Sequence, residues 1–268
     1  MTPYALPDGN VLVSFSGGRT SGYMLHKILQ ANGDLPDRAK VVFANTGREM
    51  PETLDFVQEC SERWAVPVTW LEYRKDKPKF EVVSHNSAAR DGEPFEQVIE
   101  SKASNRFLPN QAIRYCTQEM KVLTIKRYLV SCGWKRWSNT VGIRADESRR
   151  LKPSKDKRWQ NWFPLADAGA DLQTVMEFWQ AQPFDLRVMP GLGNCDGCFL
   201  KSEATLAAAW REHPDRMQWW AAMEQRTGGA FHKTRTYAEL GSFVSRQGDW
   251  IFDDTNFLCQ ADDGECTA

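Results

Sequence analysis

The chain has 268 residues, with 34 Lys and Arg against 35 Asp and Glu, a formal charge of −1 and 41% hydrophobic residues. That length can bury one large core with a smaller appendage, and the balanced charge leaves any nucleic-acid or membrane contact to a local patch. No run approaches the ~20 apolar residues of a membrane span, and residues 1–10 lack the basic-then-apolar order of a secretory signal, so a cytoplasmic protein is expected.

Residues 11–16 read as a first strand and 20–31 as a helix with Tyr23, Met24, Leu25, Ile28 and Leu29 on its apolar side. Between them runs Ser14-Phe15-Ser16-Gly17-Gly18-Arg19-Thr20-Ser21-Gly22. Glycines there let the backbone approach a phosphate, the helix N–H groups point at it, and Thr20 and Ser21 add hydroxyls. The segment has neither the Gly-Lys-Ser/Thr ending of a Walker A loop nor the G-x-G-x-x-G of a dinucleotide fold. An anion cradle and a plain strand-to-helix turn both fit it at this point.

Val41–Ala44 reads as a second strand, Pro51–Trp64 as a helix and Val66–Leu71 as a third strand. Arg74–Asn110 is a more polar excursion. Glu119–Val130 has a strong helical period, Trp137–Ile143 reads as a fourth strand, Arg144–Arg158 is a charged stretch, and Leu172–Trp179 is a further helix. Strands alternating with helices predict parallel βαβ units. The expected architecture is an α/β fold: a doubly wound, mainly parallel sheet with a helical C-terminal extension. Residues 1–190 would form the nucleotide-binding part and 191–268 a cysteine-containing extension packed on it. Ligands of such sheets sit beyond the carboxyl ends of the strands, which gathers Ser16–Ser21, Asn45-Thr46-Gly47 and Gly142-Ile143-Arg144 around one crevice.

The seven cysteines, an odd number, point to thiol, metal or cluster chemistry instead of a disulfide framework. Cys195-Asp196-Gly197-Cys198 has three readings: half a zinc site, a redox dithiol or part of an iron–sulfur site. His26, His85, His213 and His232 show no metal-ligand spacing. Cys116 stands just before a helix and beside Arg114, where a thiolate is favoured. Cys60 and Cys132 read as core. Packing is the expected use of Trp219-Trp220.

Four ordered segments, Val13–Ser21, Val41–Glu52, Arg114–Lys121 and Val141–Arg150, together with Phe163-Pro164-Leu165, resemble the phosphoadenosine phosphosulfate reductase-like family. That family has the adenine-nucleotide α-hydrolase fold, which it shares with the N-type ATP pyrophosphatases. The resemblance implies that Ser14, Ser16, Gly17, Gly18, Thr20 and Ser21 bind nucleotide phosphates. It places Asn45, Thr46 and Gly47 near the nucleoside, and Gly142 and Arg144 at the phosphate or sulfate oxygens. For Arg149, Arg150, Lys152, Lys155, Lys157 and Arg158, anion binding and a solvated charge run stay equally open. Thr20 stands where the family usually has an Asp that helps organise magnesium.

In iron–sulfur members four cysteines hold a 4Fe–4S cluster. Cys116, Cys195 and Cys198 match three of them, Tyr115 replaces the other, and Cys259 is available to close the set. The reductases also use a C-terminal nucleophilic cysteine, which Cys266 matches only in part. The function this implies is ATP-dependent, pyrophosphate-releasing sulfur insertion into a nucleic-acid acceptor, with DNA phosphorothioation as the nearest analogy. Ser16, Arg144 and Cys266 would be the catalytic residues, with ATP or another adenine nucleotide, Mg2+ and a 4Fe–4S cluster as cofactors and a cysteine desulfurase as sulfur donor. The alternatives are a sulfonucleotide reductase that releases sulfite, and a non-catalytic nucleotide-binding module with structural zinc.

Overall fold

The computed structural model describes residues 2–102 and 107–247. Its centre is a six-stranded sheet in the order β4-β3-β2-β1-β5-β6. The strands are β1 (Val11–Ser14), β2 (Ala39–Asn45), β3 (Val68–Glu72), β4 (Glu81–Val83), β5 (Trp137–Thr140) and β6 (Trp159–Trp162). All neighbours run parallel except β3 and β4. The parallel core agrees with the sequence reading. Edge strand β4 and strand β6 are additions to it.

Alternation along the strands divides the apolar side chains between two layers, because successive residues point to opposite faces. Val11, Val13, Phe15, Val41 and Phe43 join the main core with α1 (Arg19–Asn32), α2 (Pro51–Arg63) and α6 (Leu172–Gln180). Leu12, Val42, Ala44 and Leu71 face the other way, onto Ile125 and Leu129 of α4 (Thr124–Ser131). Residues buried on both faces explain why β1 and β2 read as unbroken apolar runs.

Pro51 starts α2 with its ring-fixed φ. The excursion after β3 contains α3 (Glu93–Ser101) as well as β4. The predicted helix at 119–130 forms in two parts, a π-helical stretch at Thr117–Leu123 that runs directly into α4. Thr124 Oγ1 donates to Glu119 O, five residues back, at 2.8 Å, and so helps to satisfy a carbonyl in the widened turn. A 3-10 stretch at Ala145–Arg150 and the short α5 (Pro164–Asp167) follow β5 and β6.

Past α6 come a loop carrying Cys195 and Cys198, then α7 (Glu203–Glu212), α8 (Pro214–Thr227) and α9 (Tyr237–Gln247). Trp220 packs against Phe95, Phe231 and Tyr237, the packing role expected of it. Cys60 is in the core as expected. Cys132 is exposed, because the chain leaves α4 at that residue. No described helix is long and apolar enough to cross a membrane.

Candidate functional site

The chain turns to one side of β1 for β2 and β3 and to the other for β5 and β6, so the switch point lies between β1 and β5. The segments after β1, β2 and β5 meet at that end of the sheet.

The loop after β1 is shaped by its own hydroxyls. Ser21 Oγ donates to Gly18 O at 3.0 Å and accepts from Ser16 N at 3.2 Å, while Ser16 Oγ lies 2.9 Å away. Gly17 has φ +81°, and a β-carbon there would meet Thr53 Cγ2 at 2.9 Å and Val57 Cγ2 at 3.1 Å. Both the backbone conformation and α2 therefore require glycine. Gly18 is the N-cap of α1, no side chain caps that helix, and its first turn holds no acidic residue. Unmasked N–H groups at the positive end of a helix favour an anion. Arg19 turns away, paired with Asp185 at 2.8 Å.

Arg144 follows β5 and is buried against this loop. Its Nη1 donates to Thr20 Oγ1 at 3.3 Å, and its Nε donates to Asp146 Oδ1 at 3.1 Å. Gly142 is buried beside Ser21. Ser14 Oγ donates to Asn139 Oδ1 on β5 at 3.0 Å. The sequence reading thus placed Ser14, Ser16, Thr20, Ser21, Gly142 and Arg144 in the same neighbourhood that the fold creates.

After β2, Asn45 shapes the turn from within. Its Nδ2 donates to Glu72 Oε1 at 2.6 Å and Ala89 O at 2.9 Å, and its Oδ1 accepts from Gly47 N at 3.1 Å. Thr46 Oγ1 donates to Glu49 Oε2 at 2.8 Å and lies 3.3 Å from Cys195 Sγ. Glu49 and Cys195 also form an isolated antiparallel bridge.

The Cys195-Asp196-Gly197-Cys198 turn is fixed by buried partners. Asp196 accepts from Arg48 Nη2 at 2.7 Å, Arg216 Nε at 2.6 Å and Trp220 Nε1 at 2.7 Å. Burial pulls the Arg48 guanidinium below its ordinary value, and Asp196 opposes that shift. A β-carbon at Gly197 would lie 2.4 Å from Trp220 Nε1. Tyr237 donates to Gly197 O at 2.6 Å, and burial raises its hydroxyl well above the usual range, so it stays a donor.

Among the described residues no group of three or more His, Cys, Asp or Glu could hold a metal ion. Cys116 is buried at the start of the helical turn before the π-helical stretch, whereas Cys195 is held at Thr46. Cys116 and Cys198 are buried and Cys195 is half-buried. Cys259 and Cys266 lie outside the described residues.

A cleft of about 1110 Å3 opens beside the loop, over β1, β5 and β6. Its lining includes six basic residues, Arg114, Lys126, Arg149, Arg150, Lys152 and Lys155, and one carboxylate, Asp156. Lys126 is paired with Asp156 and Arg150 with Glu147. Trp159, stacked on Trp137 at 5.3 Å and 16°, supplies an aromatic wall.

The model of the phosphoadenosine phosphosulfate reductase domain matches residues 10–190, which span this whole arrangement. The chain belongs to the phosphoadenosine phosphosulfate reductase family. It is also 30% identical over 207 residues, 75% of this chain and 69% of the relative, to the uncharacterized nin region protein ORF290 of Escherichia phage lambda. Among solved structures it resembles the phosphoadenylyl-sulfate reductase of Candida auris in its phosphate complex. That likeness has 16% identity and a TM-score of 0.44, and covers 69% of this chain and 82% of the other. Adenine-nucleotide binding is a family property.

Sequence reasoning missed Glu49, Arg48 and Arg216. Glu49 and Arg48 stand inside the Val41–Glu52 segment; Arg48 had no visible partner because Asp196 lies 148 residues away, and Arg216 meets the Glu49 backbone oxygen from 167 residues away.

Proposed function

We propose that this protein binds an adenine nucleotide across Ser14–Gly22, splits ATP into AMP and pyrophosphate, and transfers sulfur to a nucleic-acid acceptor. One observation carries the reading. An uncapped helix N-terminus and a half-buried thiol, Cys195, stand at the ends of neighbouring parallel strands, β1 and β2. In this reading phosphate binding and sulfur chemistry share one crevice. Adenylation makes an acceptor oxygen a good leaving group, and a sulfur nucleophile then displaces AMP.

Ser16 and the N–H groups of Gly17 and Gly18 would cradle the phosphates. Arg144 would hold Thr20 in place and add positive charge where charge develops. Magnesium usually binds one or two carboxylates together with substrate phosphates, so here it would be held chiefly through the nucleotide. The basic cleft with its Trp159 wall supports a phosphate-rich acceptor. A cysteine desulfurase would supply sulfur as a persulfide. In this reading residues 1–190 bind nucleotide and 191–268 form an extension that brings thiols to them; the Arg48–Asp196 pair supports that division of roles.

The test is ATP–pyrophosphate exchange by the purified full chain with single-stranded DNA or tRNA as acceptor. Exchange is expected in the wild type and should fall at least tenfold in Ser16→Ala. No exchange with either acceptor rejects the proposal. A second reading, sulfonucleotide reduction, is favoured by the reductase domain match itself. Sulfite release from adenylyl sulfate or its 3′-phosphorylated form, without exchange, would select it.

A further inference from the structure

One face of the sheet changes character from one half to the other. Under α4 it is apolar, with Leu12, Val42, Ala44 and Leu71 against Ile125 and Leu129. On β5 and β6 the same face carries the cleft, although parallel sheets ordinarily have both faces covered. The floor there is two cross-strand rows. Trp137 stands opposite Trp159, and two residues further on Asn139 stands opposite Asn161. The amide row is continuous. Ser14 Oγ donates to Asn139 Oδ1 at 3.0 Å, Asn139 Nδ2 donates to Asn161 Oδ1 at 3.2 Å, and Asn161 Nδ2 donates to Lys152 O at 3.0 Å.

A side-chain amide carries two N–H groups and two oxygen lone pairs. The row takes one of each, so Asn161 keeps an N–H and a lone pair that no described residue takes. Asn139 is buried, whereas Asn161 is half-buried and lines the cleft from edge strand β6. Asn139 holds the Asn161 oxygen and the Lys152 carbonyl holds its nitrogen. The Asn161 amide is therefore fixed before a ligand arrives and gives up little freedom on binding. A fixed amide that offers a donor beside an acceptor is complementary to a base edge, and adenine is the usual partner of Asn. Trp159 adds an aromatic surface next to it. Arg149, Lys152 and Lys155 line the same cleft with no ion-pair partner among the described residues, and Lys152 is tied to the row through its own carbonyl. The carboxylate in the lining, Asp156, is paired with Lys126.

We propose that the cleft reads one unpaired adenine of a single-stranded acceptor. Asn161 hydrogen-bonds the base edge, Trp159 packs against the ring, and Arg149, Lys152 and Lys155 take the neighbouring phosphates. The acceptor class rests on the nucleic-acid reading above; the base row rests on the geometry. The base must be unpaired, because bases stacked inside a duplex cannot reach the floor of a cleft. The volume of about 1110 Å3 exceeds the roughly 300–1,000 Å3 of ordinary small-molecule sites, so a strand fills it better than a mononucleotide. The adenine of the bound nucleotide has the same edge, and saturating ATP separates the two sources.

The experiment measures fluorescence anisotropy of labelled DNA single strands of about 12 nucleotides with the purified full chain, with and without saturating ATP. One strand is all thymine, a second has adenine at its centre, and a third has an abasic centre. The adenine strand should bind about tenfold more tightly than the other two, and than its own duplex, in both conditions. Asn161→Ala should abolish the preference. Asn161→Asp, which keeps the acceptor for Asn139 and loses the donor, should abolish it too and decides the matter if Asn161→Ala does not fold. Trp159→Ala should weaken every strand, and Trp159→Phe should restore binding. Equal affinity for the three strands, a preference that survives in folded Asn161→Ala, or loss of the preference under saturating ATP would overturn the proposal, the last by giving the row to the nucleotide. Binding of strands without preference rejects the base row alone, whereas no binding of any strand rejects the nucleic-acid reading and the row with it. A preference without ATP–pyrophosphate exchange supports the row and rejects the ATP reading.

Discussion

Arg48 and Asp196, 148 positions apart in the chain, form a buried ion pair at 2.7 Å that fastens the thiol-bearing turn to the end of β2. Arg216 completes the group, so one carboxylate serves two guanidinium ions. The placement of Cys195 beside Thr46 depends on this knot.

Removing Asp196 leaves two cations without their carboxylate in a buried site, and breaking such a pair typically costs about 3–5 kcal/mol. Asp196→Ala is expected to lose that much stability in urea unfolding. The double variant Arg48→Met with Asp196→Leu should lose less than the sum of the single losses, because both charges then leave together. Additive losses would show that the pair does not couple.

Gly17→Ala meets two obstacles, a φ of +81° and a methyl within 2.9 Å of Thr53. The left-handed conformation alone costs about 1–2 kcal/mol for an L-residue. The variant should unfold at lower temperature and bind ATP at least tenfold more weakly by isothermal titration. Adding Thr53→Ser, which removes the obstructing methyl, should recover part of the stability but not the backbone term.

The cleft makes a salt-dependent prediction. Changing Arg149, Lys152 and Lys155 together to Gln removes three cations that have no ion-pair partner among the described residues. Single-stranded DNA should bind more weakly, and the slope of log affinity against log salt should shallow by about 2, from ~0.7 per lost phosphate contact. An unchanged slope would place nucleic acid elsewhere.

Glu119 gives a pH dependence. Burial pushes its carboxyl up, but hydrogen bonds and charge from Lys102 and Arg127 outweigh that and hold it below its ordinary value of 4.5. A depressed carboxyl stabilises the fold above the unfolded-state value, and that contribution is lost as pH falls through the folded-state value. Glu119→Gln should therefore lower the melting temperature at pH 7, and its difference from wild type should shrink as the pH falls below about 4.5. A constant difference across that range would show that Glu119 acts through packing alone.

Much of the sheet was legible because β1 and β2 are buried on both faces and their helices have a clear apolar period. Strand β6 was not, since Trp159-Gln160-Asn161-Trp162 follows a charged stretch and gains its pairing only from β5, with Trp159 opposite Trp137. The π-helical stretch before α4 escaped for a related reason: its apolar positions fit an α-helical period, and the widening depends on the local hydrogen bond from Thr124 to Glu119. Cys132 looked like a core residue because it follows an apolar helix, yet the chain leaves α4 there and the side chain is exposed.

The sequence by itself determined the alternating α/β order, the phosphate-type loop at Ser14–Gly22 and the three segments that follow β1, β2 and β5. These are local properties, set by side-chain period, glycine and helix-start chemistry. Only the tertiary structure decided what stands next to the Cys195–Cys198 turn. The family resemblance named Cys116, Cys195 and Cys198 together, but the Arg48–Asp196–Arg216 knot that carries Cys195 to Thr46 appears only in the fold. The physical reason is distance along the chain. Hydrogen bonds and ion pairs between residues about 150 positions apart exist only once the sheet has ordered its strands, so no local pattern could have announced them.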